Sequence, residues 1–236
     1  MPRSEPDSMA PGAGSAAPEG AVPAGPSRPD DRTELLLWSL MDEFERAALD
    51  SYVAHSPGLA TAEKRQFVAR LAALGLEEGA LAASSLGAPA AALLARARGT
   101  DELSALIVQG LVLEHMGHAI YRIAQASERA SAASRAIAAS GLGASVSVIA
   151  AASARLTARV GTGETLYAVF AEESHEVLGA MDALAEPVDE VFGQHFGLRF
   201  ADVMGEFVAD LIGACTALGM QRRKVVAHLA GASMGF

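Results

Sequence analysis

The sequence predicts an all-α protein, a helical bundle of four to six main helices behind a disordered N-terminal tail, on three observations. Hydrophobic residues make up 51% of the 236 residues but aromatics only 5%, and 51 residues are alanine, so the apolar mass is aliphatic and favours helix. Apolar residues recur at steps of three and four through most of the chain. No alternating apolar run bounded by hairpin turns occurs, and no repeat of fixed period.

Residues 1–31 mix Pro, Gly, Ala and Ser without periodicity and can bury too little to offset their chain entropy, so they are expected to be a disordered tail. Residues 32–236 form the bundle domain. Thr33 is the expected cap of a first helix that ends at Pro57-Gly58. A second helix is expected from Thr61 to about Ser84, carried by Phe67, Leu71, Leu74 and Leu81, with Gly87 and Pro89 as its stop. A short Ala/Leu helix precedes Gly99, and Thr100 caps a long helix reaching about Arg129.

Residues 136–154 carry no formal charge, a length close to that of a membrane span. Ala, Ser and Gly contribute little transfer energy and Gly141-Leu-Gly143 interrupts the segment, so a buried, broken helix is expected and a membrane span is disfavoured. After Gly161-Thr-Gly163 another amphipathic helix runs to just before Pro187. A last long helix spans about Arg199 to Leu229, with Arg222-Arg223-Lys224 towards its C-terminal end, where it suits the helix dipole.

The net charge of −10 offers no field that would condense on nucleic acid or an anionic bilayer. Nucleic acid is therefore excluded as an expected partner. The single Cys215 leaves neither an internal disulfide nor a Cys-based zinc site, so a reducing, cytoplasmic location is expected and a buried thiol is its plain reading. No phosphate-binding glycine loop and no HExxH is present.

Chemistry concentrates in acids and histidines set among apolar residues. Glu45 shares a helix face with Trp38, Met41, Ala48 and Tyr52, whereas Glu43 looks solvated. An ionised carboxylate on such a face costs several kcal/mol unless it is paired. Glu114 and His118 lie roughly 40° apart around one helix and about 6 Å along it, close enough to share a ligand, with His115 beside them. Glu172 and His175 form Glu-x-x-His, although Glu173 aligns better with Leu166, Phe170 and Val177 and competes for the inward direction. On the last helix Asp210 shares a face with Val203, Phe207 and Ala214, a better buried candidate than Glu206.

In these residues the sequence resembles the ferritin-like and haem-oxygenase-like diiron carboxylate proteins, helical bundles whose facing helices hold two irons with four carboxylates and histidines. The resemblance implies Glu45, Glu114, His118, Glu172, His175 and Asp210 as metal ligands, two Fe as cofactor, and dioxygen with a small organic substrate, or Fe(II), as reactants. The first histidine follows its glutamate by four residues where that pattern has three, and Asp210 has no paired histidine. The competing expectation is a non-enzymatic bundle that binds a partner protein or an apolar ligand through its Ala-, Gly- and Leu-rich surfaces. Self-association is compatible with either.

Overall fold

A computed structural model describes residue 29 and residues 31–77, 79–194 and 196–232. The expected tail lies outside these residues, apart from Pro29, which is buried, and Asp31. No strand occurs among the described residues, and helices account for most of them, so the all-α expectation holds. The helices are α1 (Arg32–His55), α2 (Ala62–Ala72), α3 (Gly87–Arg96), α4 (Glu102–Ala126), α5 (Ala132–Val160), α6 (Glu164–Met181), α7 (Ala185–Phe192), α8 (Phe200–Ala217) and α9 (Arg222–Gly231).

The start of α1 is set by Asp31 rather than Thr33: its Oδ1 accepts from the amides of Thr33 at 2.7 Å and Glu34 at 3.3 Å. Asp101, not Thr100, caps α4 in the same way, accepting from Leu103 and Ser104. An aspartate ranks above threonine as a cap, and in both places it precedes the helix directly. The second helix stops at Ala72, well short of Ser84. Gly75 and Gly79 sit at φ +60° and +81°, so the chain turns there, and Leu74 and Leu81 reach the core from turns rather than from a helix face. Pro89 belongs to the first turn of α3, where its missing N–H costs nothing, and Pro187 likewise opens α7.

The expected last helix is two, α8 and α9, parted by Gly219 at φ +83°. The basic run therefore begins α9 instead of closing a helix, and the dipole argument fails. Lys224 is instead held by an ion pair to Glu164 and lies over the Tyr167 ring.

Two further departures shape the centre of the bundle. Residues Ala105–Leu113 within α4 form a wide π-helix, completely apolar but for Gln109 and leading directly into Glu114. And α5 is a single unbroken helix of 29 residues that passes straight through Gly141 and Gly143. Only its inner face is buried, with Val146 56% exposed on the other. By length and composition α4 and α5 could each cross a membrane; α4 buries 83% of its apolar window inside the bundle and α5 39%.

The packing explains Gly141. A β-carbon there would lie 2.8 Å from Tyr121 Cε2 and 2.9 Å from Phe67 Cζ, so its absence is what lets α5 approach α4 and α2. Tyr121 stands at that junction, edge-on to Phe67 at 5.4 Å between ring centroids and stacked on Trp38 at 6.5 Å. Gly141→Ala should cost about 1–3 kcal/mol through overpacking. Gly143→Ala, with nothing within 4 Å of the new carbon, should gain about 0.5–1 kcal/mol from helix propensity. Urea unfolding of the pair checks this, and equal effects at the two glycines would contradict the packing argument.

Trp38 Nε1 donates to Ser134 Oγ at 2.9 Å, and Glu34 accepts from Ser131 and Ser134 at the start of α5. This buried polar clamp fixes α1 against α5 and so fixes where Glu45, further along α1, enters the interior.

Candidate functional site

Glu45 on α1 and Glu114 on α4 are each 4% exposed and meet inside the bundle. The group that joins them is Lys64 of α2, 1% exposed, whose Nζ is ion-paired to Glu45 Oε2 and to Glu114 Oε1. Two tyrosines complete the cluster. Tyr52 O–H donates to Glu114 Oε1 at 2.7 Å, and Tyr121 O–H donates to Glu45 Oε1.

The local sequence explains each position. Glu45 follows Trp38 and Met41 on the inner face of α1, and Tyr52 lies two turns on along the same face. Lys64 precedes Phe67 and Leu71 at steps of three and four, so the apolar face of α2 carries it inward. Glu114 begins the regular helix after the π segment, with Gly117 and Tyr121 at the following inward positions.

Two carboxylates and one ammonium leave a single excess negative charge if all three ionise. Burial pushes Glu114 up to about 7, the Glu45 charge adding to it and Lys64 opposing it. Burial works against the Lys64 ammonium, but the charges of Glu114 and Glu45 outweigh it and hold Lys64 above its ordinary value. Burial and the neighbouring carboxylates push Tyr52 and Tyr121 well upward, so both stay protonated as donors.

The other four predicted ligands do not join this cluster. Around the helix, Gly117 and Tyr121 fall on one side of Glu114 and His118 on the other, and the cluster lies on the Gly117 side. His118 is half-buried, shifted downward by burial with Asp210 and Arg122 as its charged neighbours, and its buried Nδ1 has no partner among the described residues. Asp210 accepts from Arg122 at 3.2 Å, in a half-exposed network that Glu206 joins at 2.9 Å. Glu172 and His175 are exposed on α6, and Glu173 is half-buried, so neither acid turns inward. It is Ser174 between them that is buried, bonded to Phe170 O and to His228 Nε2. His115 is a hydrogen-bonded core histidine, its Nδ1 2.6 Å from Leu111 O. Cys215 is fully buried, its thiol pushed up to about 12 by burial.

Two irons would need donors around both metals. Among the described residues the convergent carboxylates are Glu45 and Glu114, an ammonium lies between them, and glycine stands three residues after Glu114 where a histidine ligand would be placed. Among the same residues no group of three or more His, Cys, Asp or Glu side chains is placed to hold a metal ion. The described residues, as they are placed, do not fit a pair of irons.

Lys64 lies outside the acids and histidines from which a sequence-based site is built. Its signal is nonetheless present: a lysine at the head of the Phe67–Leu71 stripe, on the face that has to be buried.

A narrow apolar pocket, partly open to solvent, reaches this cluster. Leu37, Met41 and Phe44 of α1, Met116 and Ile120 of α4, and Phe192 and Phe200 from the α7–α8 region line it, together with Glu45, Lys64, Gln109 and Glu114. Those four polar residues are at most 4% exposed, so the polar part of the lining is screened from bulk water. Gln109 Nε2 donates to Ala97 O at 2.6 Å, while its Oε1 is buried without a partner among the described residues.

Fold and site together define a helical bundle with a lysine-bridged carboxylate pair in the lining of an apolar pocket. The solved structure of a protein described as having aldehyde deformylating oxidase activity, from Synechococcus, is similar in fold, with a TM-score of 0.59 over 84% of this chain and 92% of that one. The two are 16% identical. No protein-family model matches the sequence, and no curated protein matches it.

Proposed function

We propose that this chain is a metal-independent ligand-binding bundle, in which Lys64 supplies the positive charge for Glu45 and Glu114 and the apolar pocket takes a small molecule bearing a hydrocarbon tail. The observation that carries this reading is the Lys64 ammonium shared between two carboxylates that line the pocket. A covalently tethered cation gives the pair what a bound metal otherwise gives, without any uptake step, and the surrounding apolar walls remain free for a tail.

The second reading is a diiron oxidase or oxygenase acting on a small organic substrate with dioxygen. It rests on the fold likeness and on the convergence of Glu45 and Glu114. It further requires Lys64 to withdraw and His118, Asp210, Glu172 and His175 to turn inward, which is why it stands second.

Metal analysis separates the two. Protein expressed aerobically with added iron should carry well under one iron per chain, and its melting temperature should rise when an apolar fluorescent probe occupies the pocket. About two irons per chain, lost in Glu45→Ala and Glu114→Ala, would establish the diiron reading instead.

A further inference from the structure

The polar lining of the pocket is short of donors, not of acceptors. The Gln109 amide is oriented by Ala97 O, which only its nitrogen can satisfy, so the unpartnered atom is the carbonyl oxygen Oε1. Glu114 accepts from both Tyr52 and Lys64 on Oε1, which leaves Oε2 without a hydrogen-bond partner among the described residues. Both tyrosine hydroxyls already donate to carboxylates, and Lys64 is committed to two of them. A buried acceptor such as Gln109 Oε1 is costly to leave without a donor, so a ligand that reaches it is rewarded for bringing an N–H or O–H group.

Charge points the same way. With Glu45, Glu114 and Lys64 ionised the cluster is net negative, and an anionic head would meet two carboxylates whose cation, Lys64, is already shared between them. An ammonium head removes the excess charge and offers three donors.

We propose that the pocket binds a primary amine carried on an alkyl tail, its ammonium donating to Gln109 Oε1 and Glu114 Oε2 while the tail lies along the α1 and α4 walls. The proposal rests on the ligand-binding reading above and adds the chemistry of the head group. It excludes fatty acids as ligands, although the pocket contains a buried lysine.

Calorimetric titration of the full chain with octylamine, octanol and octanoate tests it, since the three share one tail. At about pH 8 the amine stays protonated and Glu114 is mainly ionised. Octylamine should bind at least about tenfold more tightly than octanoate, with octanol between them, a separation of about 1.4 kcal/mol per decade. Gln109→Leu should weaken octylamine several-fold and leave octanol less affected. Octanoate equal to or tighter than octylamine would overturn the amine assignment while leaving the pocket reading in place. Failure of all three to bind would overturn the pocket reading itself.

Discussion

Lys64→Met should be among the most damaging single substitutions in the chain, lowering stability at neutral pH by about 3–5 kcal/mol, because it leaves two carboxylates buried without their cation. The length of the side chain is nearly conserved, so the loss reports charge and not a cavity. Two checks separate this from general core damage. Adding Glu114→Gln to Lys64→Met should return a large part of the loss, since it removes one of the stranded charges. The loss should also shrink towards about pH 5, where the stranded carboxylates take up protons. Chemical denaturation of the single and double variants decides the matter. A single-variant loss below about 1 kcal/mol, or a double variant no more stable than the single, would mean that Lys64 is not the counter-charge that holds the site together.

The bundle is legible in the sequence because its elements depend on local signals displayed there directly: periodic apolar faces, caps and glycine stops. Where those signals mislead, tertiary packing decides. Gly141 and Gly143 have the composition of a helix break, yet α5 continues through them, and Gly141 instead serves the close packing of Tyr121 and Phe67, which occupy the space a side chain would need there. Likewise, Leu81 carries helical spacing relative to Leu74 but is delivered by turns at Gly75 and Gly79.

The site is half legible, for a related reason. Glu45 and Glu114 stand out because an acid on an apolar face needs a partner. Which partner it finds is a question of neighbouring helices, and the answer, a lysine on α2, is not periodic with either acid. Asp210 has apolar neighbours on α8, but Arg122 of α4 draws it to a half-exposed ion pair instead. The Glu172/His175 spacing is right for a shared ligand, and the face that carries it is turned to solvent by the burial of Leu166, Phe170, Ser174 and Val177.

Glu114→Gln alone should reveal the excess charge of the cluster as a pH-dependent difference from the parent protein. In the folded chain Glu114 titrates near 7 against an ordinary 4.5, so between those values the folded state holds a proton that the unfolded state has released. Its contribution to stability is thus fully present below about 4.5 and is lost as pH rises through 7, on the order of 3 kcal/mol in total. A glutamine at this position carries no such titration and mimics the protonated acid. Relative to the parent, the variant should become progressively more stable from about pH 5 to pH 8. Comparing the two proteins is essential because His115, His118 and His228 are all shifted downward by burial and act with the opposite sign, their contribution being lost as pH falls. Those histidines are common to both proteins and cancel in the difference. Denaturation curves at a series of pH values measure it, and an infrared band from a protonated carboxyl that fades through neutral pH in the parent and is absent in Glu114→Gln identifies the group. A difference that stays flat from pH 5 to 8 would mean that the cluster holds its charge unchanged, with Glu114 ionised throughout.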